Sequence, residues 1–415
     1  MADTATVRVR LPREIWVLVV AAFVVAIGFG IVAPALPAFA RSFDVGYAAA
    51  SAVISLFAGF RLAFAPVSGR LVVRFGELRV YAIGLVIAAL SVGATAFAQS
   101  YWQLLVFRGL GGIGSTMFTV AAISLLVRLA PAEARGRASG MWATGFLLGS
   151  IAGPLAGGGL IALSLRAPFL VYAVALLVAV AISVPLLRGR TGAADSTEEG
   201  APVTFGLAFR HPTYRAALAA SFANGWTVFG VRVALVPLFV VEVLRHSETW
   251  AGLALAVFAA GNTVTLLWSG RIADRSGRKP PVLAGLVVSA LATGALGLIE
   301  VPWVFLALSL VAGIGSGLVN PPMTAAVADV IGGRARGGTV LAGFQMAADV
   351  GAIIGPIAAG ALAQVAGFGW AFASTGLVSV VALLFWLRAP ETLPKADRCD
   401  PTTETLAGER AVGTE

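Results

Sequence analysis

The sequence predicts an all-α membrane protein in which twelve transmembrane helices form two pseudo-symmetric six-helix bundles. Of its 415 residues, 59% are hydrophobic and only 12% are charged, and its mean hydropathy is +0.92. An average soluble domain contains about 25% charged residues, so a soluble fold would lack the polar surface to cover this chain. Two further observations, long apolar runs and an internal duplication, specify the number and the arrangement of the helices.

The apolar runs give the number of helices. A helix needs about 20 apolar residues to cross the hydrocarbon core of a bilayer. Two runs are long enough for two helices each, dividing near Gln99 and at Gly367, so ten runs predict twelve spans. The first run follows several arginines, but its apolar stretch exceeds the roughly 7–15 residues of a signal peptide and predicts a retained helix. The runs are residues 15–40, 45–69, 80–128, 138–165, 167–187, 216–241, 249–270, 280–299, 301–328 and 337–387.

The distribution of basic residues orients these helices. With both termini in the cytoplasm, 23 of the 29 lysines and arginines fall in cytoplasmic segments. Cytoplasmic loops of membrane proteins carry such an excess, so we expect a multi-pass protein of the inner (cytoplasmic) cell membrane. The basic residues form short clusters between apolar runs rather than one patch, so we expect no nucleic-acid partner.

An internal duplication divides the chain into two halves. The string GIVAPALP from Gly30 is followed 200 residues later by GVRVALVP, and GIGS from Gly112 recurs 201 residues later. Two six-helix halves related in this way are a transporter design, with the substrate site between them near the midplane. The predicted segments are an N-terminus (1–13), a first bundle (14–188), a cytoplasmic linker (189–212), a second bundle (213–388) and a cytoplasmic tail (389–415).

The loop between the eighth and ninth spans reads GRIADRSGRK, residues 270–279. Gly277 permits a tight turn, and Asp274 can face a helix N-terminus, whose dipole favours an anion. An ordinary positively charged loop would account for the arginines but not for the acid and the paired glycines. These residues are Gly270, Asp274, Arg275, Gly277 and Arg278, and their resemblance to a loop signature of the major facilitator superfamily implies a conformational motif.

With this loop, the chain resembles the major facilitator superfamily over residues 14–388, and within it the twelve-span drug:proton antiporters. The fifth span fits the glycine–proline pattern associated with antiporters in that family at every position, and RGLGGIG from Arg108 is similar to its fourth-span motif. Closely spaced glycines also occur wherever membrane helices pack closely. The fifth-span motif residues are Gly140, Gly149, Gly153, Pro154, Gly157 and Gly158.

The equivalent loop of the first half departs from the family pattern. Val73 takes the place of the aspartate, and Glu77 takes the place of a basic residue. In family members this loop helps to latch one conformation. The resemblance therefore implies that the latch is absent here or has moved to Glu77.

Four ionisable residues lie inside the predicted spans: Arg61, Arg108, Arg232 and Asp349. Each costs at least about 2.5–3.5 kcal/mol there and is a functional candidate. Asp349 is the predicted proton-coupling acid, with a static salt bridge as the alternative. Its predicted gate and charge partner is Arg61, because the two lie at depths of about 12 and 18 Å along their helices.

The central cavity is predicted to be lined by Arg108, Asn224, Trp226 and Arg232, with packing as the alternative role for Trp226. Three arginines against one aspartate leave the core positively charged. We therefore expect a neutral or anionic substrate rather than a lipophilic cation.

The resemblance implies a secondary active transporter, and we expect a proton-coupled antiporter for drug or metabolite efflux. The alternatives are a proton-coupled importer of a small metabolite and a transport-inactive receptor or scaffold. An enzyme is not expected, because no loop offers a nucleophile–base pair or a phosphate-binding glycine loop. We expect no metal and no cofactor, the proton gradient as energy source, and a monomer whose partners are a small-molecule substrate, protons and the lipid bilayer.

Overall fold

The computed structural model of the chain describes residues 11–131, 134–188, 205–332 and 338–393. In these ranges twelve helices are long and apolar enough to cross a membrane, which confirms the predicted number of spans and the all-α fold class. Several of the basic residues on which the predicted orientation rests lie outside the described ranges. They are Arg8, Arg10, Arg190, Arg334, Arg336, Lys395, Arg398 and Arg410.

The helices fall into two groups in chain order. The first bundle contains α1 (Arg13–Val32), α2 (Ala35–Arg41), α3 (Tyr47–Phe75), α4 (Glu77–Thr95), α5 (Tyr101–Leu129), α6 (Arg135–Ile161) and α7 (Ala167–Leu187). The second contains α8 (Phe205–Arg210), α9 (Pro212–Asn224), a π-helical turn (Gly225–Val231), α10 (Arg232–Glu242), α11 (Glu248–Ser276), α12 (Lys279–Ala295), a 3₁₀ turn (Leu296–Leu298), α13 (Pro302–Ile331), α14 (Gly338–Ala366) and α15 (Phe368–Arg388). Helices α1 and α2 together form the first span, and α9 to α10 form the seventh.

Proline and glycine set the breaks between these helices. Pro34 separates α1 from α2, because a proline removes a backbone donor and cannot continue a regular helix. Gly76 and Gly277 end α3 and α11 with φ of 82° and 99°, a conformation that residues with a Cβ avoid. These two glycines are 201 residues apart, so the duplication extends to the backbone of the loop.

A short helix lies in the stretch predicted as linker (189–212). The Phe205 ring at the start of α8 packs against Phe209 and Tyr214, with ring centroids 5.8 and 6.0 Å apart. The predicted linker therefore contains a helical turn at residues 205–210, which the Phe205 ring joins to the second bundle. Residues 189–204 of the predicted linker lie outside the described part of the chain.

Close helix crossings define each bundle and the interface between them. In the first bundle α1 packs along α6, and α4 along α5; in the second, α11 and α12 pack along α13. Across the interface, α3 meets α14 and α6 meets α11. We call the end of the bundles that carries Arg13 and Arg388 the terminal face. The other end, which carries Arg41 and Glu242, is the opposite face.

The seventh span is interrupted by the π-helical turn. Gly225 lies so close to α14 that a Cβ would overlap the Ala348 carbonyl, and Gly230 lies against Pro356. Turns of this kind are rare and often mark functional sites. This one places two polar residues, Asn224 and Arg232, at its ends.

Candidate functional site

Ionisable side chains from the two bundles face each other in the middle of the structure. Arg61 lies on α3 and Asp349 on α14, the two helices that meet across the interface. The two side chains interact electrostatically, although no ion pair within 4.0 Å joins them among the described residues. The structure thus places the predicted partners on facing helices.

Tyr172 of α7 belongs to the same group and was not predicted. Its side chain is buried and lies within electrostatic range of both Arg61 and Arg108. The ring lies against Gly28 of α1, where a Cβ would overlap the ring carbons. Gly28 therefore provides the space that this tyrosine needs near the two arginines.

Arg108 of α5 is buried, with 4% of its surface exposed. Its Cζ lies 4.6 Å from the centroid of the Phe57 ring on α3. A cation held over an aromatic face is stabilised by about 0.5–2 kcal/mol, and more strongly when it is desolvated. The structure places this predicted cavity residue between α3 and α5, near Tyr172.

A cluster of uncharged polar side chains surrounds Asn224 in the second bundle. Asn224 Oδ1 accepts hydrogen bonds from Ser316 Oγ and Asn320 Nδ2, both at 3.4 Å. Ser316 Oγ in turn accepts one from Asn262 Nδ2 at 3.2 Å. We call these four residues the amide cluster. A cavity of about 20 Å³ adjoins it, with polar lining from Asn224, Thr227, Ser289, Ser316 and Ser379.

Trp226 packs inside the second bundle. Its indole Nε1 donates a hydrogen bond to Thr375 Oγ1 at 3.4 Å, and its ring and backbone lie against Gly351 and Gly355 of α14. The structure therefore assigns Trp226 to packing between α14 and α15 rather than to the wall of a cavity, which was the alternative for this residue.

Arg232 is also placed differently from the prediction. Only 3% of its surface is exposed, and its Cζ lies 3.7 Å from the centroid of the Phe258 ring on α11. Phe258 itself belongs to a buried cluster with Ala292 and Ala312. Arg232 thus lies in the interior of the second bundle, because the π-helical turn directs it towards α11.

Ion pairs hold the predicted conformational loop at the terminal face. The Arg278 guanidinium pairs with Asp274 one turn earlier, and its Nε lies 3.3 Å from Asp329 Oδ2 at the end of α13. Burial alone would lower the pKa of Arg278, but its hydrogen bonds to the two carboxylates outweigh burial and raise this pKa above its ordinary value. The loop is therefore attached to its own bundle.

The acid at the N-terminus of α12 is Glu391, and the prediction that Asp274 faces a helix N-terminus is wrong. The Glu391 carboxylate accepts hydrogen bonds from the backbone N–H groups of Arg278 at 2.8 Å and Lys279 at 3.0 Å. Glu391 follows α15, and this segment brings its carboxylate to the start of α12. The Asp274 carboxylate pairs with Arg278 instead. Gly277 leaves room for Glu391, since a Cβ there would overlap the Glu391 carboxylate.

The corresponding loop of the first bundle is held by an ion pair of reversed polarity. Glu77 Oε1 lies 3.3 Å from Arg128 Nε. The positions 201 residues later are Arg278 and Asp329, the ion pair of the second bundle. Acid and base have exchanged places between the repeats. In this conformation Glu77 contacts its own bundle.

Three of the fifth-span motif glycines form a close crossing between α6 and α1. A Cβ on any of them would overlap backbone atoms of α1. Gly158 instead packs against Gly252 of α11 across the interface, where a Cβ on Gly252 would overlap the Pro154 carbonyl, and Gly140 has no neighbour within 4 Å. The motif therefore serves two different helix crossings. The glycines against α1 are Gly149, Gly153 and Gly157.

Contacts between the bundles close the opposite face. Arg41 Nη2 lies 3.4 Å from Glu242 Oε1, and the Arg41 Cζ lies 4.9 Å from the centroid of the Tyr47 ring. That ring packs on Phe368, with centroids 5.0 Å apart. Arg41 and Glu242 occupy equivalent positions of the two repeats, since they are 201 residues apart.

Sequence reasoning missed these residues for different reasons. The opposite charges of Arg41 and Glu242 at equivalent repeat positions would have predicted an ion pair between the bundles. Glu391 follows the last span directly, but only the fold shows that it reaches α12. Nothing in the sequence indicated that Tyr172 lies on Gly28.

Two overlapping segments, residues 18–250 and 217–407, match the sequence profile of the Major Facilitator Superfamily. The class C tetracycline resistance protein of Escherichia coli is 31% identical over 274 residues, which cover 64% of this chain and 69% of that protein. The synaptic vesicular amine transporter of Bos taurus is 28% identical over 334 residues, which cover 78% of this chain and 63% of that protein.

Solved structures show the same fold. The crystal structure of a bacterial homolog of the human lysosomal transporter Spinster, in an inward-facing and unoccupied conformation, superposes with a TM-score of 0.77. The sequence identity is 17%, and the alignment covers 94% of this chain and 98% of that protein. At this identity the comparison shows the arrangement of the helices and not a shared substrate.

Proposed function

This chain belongs to the Major Facilitator Superfamily, and from that premise we propose that it is a proton-coupled antiporter that exports small neutral or anionic organic compounds from the cell. In this proposal the terminal face lies in the cytoplasm and the closed opposite face lies outside. The protein acts as a monomer in the cell membrane. The excess of basic residues in terminal-face segments supports this orientation.

The position of Asp349 carries the proposal. Among the described residues it is the only acid further than two helical turns from the end of a membrane-spanning helix. It lies where α14 meets α3, and a transporter of this fold works by moving one bundle against the other. Such a motion changes the separation of Asp349 from Arg61, and with it the proton affinity of the carboxylate. Proton binding and bundle motion are thereby linked.

The charge of the core supports the choice of substrate. At the interface, Arg61 and Arg108 leave an excess of positive charge over Asp349, which opposes a cationic guest. The relatives named for tetracycline resistance support export of a drug-like compound. The relatives named for amine transport suggest a different cargo, and a protonated amine at the interface would meet two buried cations, Arg61 and Arg108.

A susceptibility panel in an efflux-deficient bacterial host tests the function. Cells that express the chain are compared with vector controls for tetracycline, other neutral or anionic drugs, and ethidium, with and without a protonophore. We expect protection against neutral or anionic compounds that the protonophore abolishes, and none against ethidium. Efficient ethidium export would contradict the predicted substrate class, and energy-dependent accumulation of a labelled metabolite would favour the importer.

Replacing the carboxyl group tests the coupling role of Asp349. Asp349→Asn is expected to lower protonophore-sensitive export about tenfold or more, a change of about 1.4 kcal/mol in activation free energy, at unchanged abundance in the membrane. The matched control is Asp44→Asn, because Asp44 is exposed at the opposite face with φ of 56°, a conformation that asparagine also adopts. If Asp349→Asn exported as the wild type does, Asp349 would be removed from the mechanism.

A further inference from the structure

We propose that the second bundle binds a monatomic anion, chloride under physiological conditions, at the guanidinium group of Arg232. This site lies inside the bundle, apart from the charges at the interface. The proposal concerns binding by the protein at rest and does not depend on the transported compound or on the direction of transport.

The guanidinium of Arg232 is buried without a compensating partner. Nε, Nη1 and Nη2 all lack a hydrogen-bond acceptor among the described residues, and no acidic side chain in that part of the chain acts on it electrostatically. The contact with the Phe258 ring, 3.7 Å from Cζ to the centroid, stabilises the guanidinium by about 2 kcal/mol when the pair is desolvated. Burying a cation costs several kcal/mol. The ring alone does not balance this cost, whereas a bound anion would.

Other buried donors lie on the elements that pack around the Phe258 cluster. Three fully buried hydroxyls on neighbouring helices also lack a hydrogen-bond partner in the described structure. One adjoins Ala292, and another lies three residues before Ala312 on the same helical face. Ala292 and Ala312 pack with the Phe258 ring that Arg232 covers. Unpaired buried hydroxyls are rare in native proteins and call for a ligand or an ordered water. They are Thr227 on the π-helical turn, Thr293 on α12 and Ser309 on α13.

The free space beside the Phe258 cluster is small. The cavity of about 20 Å³ beside the amide cluster is lined in part by Val228, which also packs against the Phe258 cluster and lies one turn before Arg232. A water molecule needs about 10–15 Å³ by this measure, so the cavity accommodates a single water-sized particle. Water would not neutralise the Arg232 cation, whereas a halide, which is little larger than water, would.

A halide titration of the purified full-length protein tests the proposal. The protein is held in detergent with sodium gluconate, and chloride, bromide or acetate replaces gluconate at constant ionic strength. We expect the unfolding midpoint to rise saturably with chloride and bromide and not with acetate. The absence of a saturable halide response would overturn the proposal, and an equal response to acetate would overturn the assignment to a monatomic ion.

Three variants locate the response. Arg232→Met is expected to abolish it while keeping an unfolding midpoint in gluconate at or above that of the wild type, because an unpaired buried cation is removed. Arg232→Lys should keep a weaker response. Arg166→Met, at an exposed arginine of the opposite face, should keep the full response. A halide response that persists in Arg232→Met would place the ion elsewhere and overturn the site.

Bromide crystallography provides a test that needs no variant. Crystals of the wild-type protein grown in saturating bromide should show an anomalous scattering peak beside the Arg232 guanidinium. If the bundle is well ordered and no peak appears there, the proposal is wrong. These measurements use no gradient and no substrate, so their failure is distinguishable from a failure of the proposed transport function.

Discussion

At the scale of single residues, the Glu391 carboxylate accepts backbone hydrogen bonds at the terminal face. Partial burial alone would raise the pKa of its carboxyl group, but hydrogen bonds from four backbone N–H groups, including those of Arg278 and Lys279, outweigh burial and hold the pKa below its ordinary value. The charged form is therefore favoured in the folded protein. Glu391 fills the role of a helix cap for α12 from a distant part of the chain.

Removing this charge should destabilise the protein in a pH-dependent way. We expect Glu391→Gln to cost about 1 kcal/mol at neutral pH, as the loss of a capping side chain does. Because the folded-state pKa is lowered, the difference from wild type is complete above the ordinary glutamate pKa of about 4.3 and disappears as the pH falls through the lower folded-state value. Thermal unfolding of the two proteins in detergent between pH 3 and 8 measures it.

Glu300→Gln is the control for this comparison, because Glu300 is exposed at the opposite face. It should differ little from the wild type at any pH. Identical pH profiles for Glu300→Gln and Glu391→Gln would contradict the capping role.

At the scale of helices, the crossing of α1 and α6 depends on the absence of side chains. A Cβ on Gly153 would lie 2.7 Å from Gly30 Cα on the facing helix. Glycines spaced four residues apart bring membrane helices into this close contact, where packing replaces the hydrophobic effect as the driving force. The repeat of the pattern in the second bundle, where Gly351 and Gly355 lie against Trp226, shows that the same device holds α14 to the seventh span.

A single methyl group should therefore have opposite effects at two motif positions. Gly153→Ala is expected to destabilise the protein by about 1–3 kcal/mol through overpacking. Gly140→Ala meets nothing within 4 Å and should be neutral or stabilise the helix by about 0.5–1 kcal/mol. Thermal unfolding and abundance in the membrane measure both. Equal destabilisation by the two variants would show that the motif acts through something other than helix packing.

At the scale of the whole molecule, residues of opposite charge at equivalent repeat positions form ion pairs at both faces of the protein. On the opposite face, Arg41 and Glu242 pair with each other and join the bundles. On the terminal face, Glu77 pairs within the first bundle and Arg278 within the second. The ion pair at the opposite face thus joins the two bundles, whereas each ion pair at the terminal face lies within one bundle.

Reversing the charge at the opposite face should favour its opening. Ser51 is buried against Gly360 between the bundles, so Ser51→Cys in a Cys399→Ser background reports on opening through its rate of reaction with a membrane-impermeant maleimide. We expect Arg41→Glu to raise that rate by roughly two- to fivefold, since a partly exposed ion pair contributes at most about 1 kcal/mol. Adding Glu242→Arg should restore the original rate. A double variant that reacts as fast as Arg41→Glu would mean that the pair does not hold this face closed.

Much of the fold was predictable because the bilayer imposes its own rules. Backbone groups in lipid must be hydrogen-bonded within their segment, so a long apolar run becomes a helix whatever its neighbours are. The breaks at Gln99 and Gly367 and the duplication followed from local patterns for the same reason. The short helix α8 was missed because aromatic anchoring on Tyr214 is a tertiary contact.

The sequence by itself determined twelve spans, two related halves and the few ionisable residues inside the spans, since length, hydropathy and repetition are properties of the chain. Only the tertiary structure decided which of these groups meet. It placed Glu391 rather than Asp274 at the start of α12, Tyr172 near Arg61 and Arg108, and Arg232 on Phe258. The physical reason is that the rotation and crossing of each helix are set by close packing against distant segments, and a shift of one residue on a helix turns a side chain by about 100°.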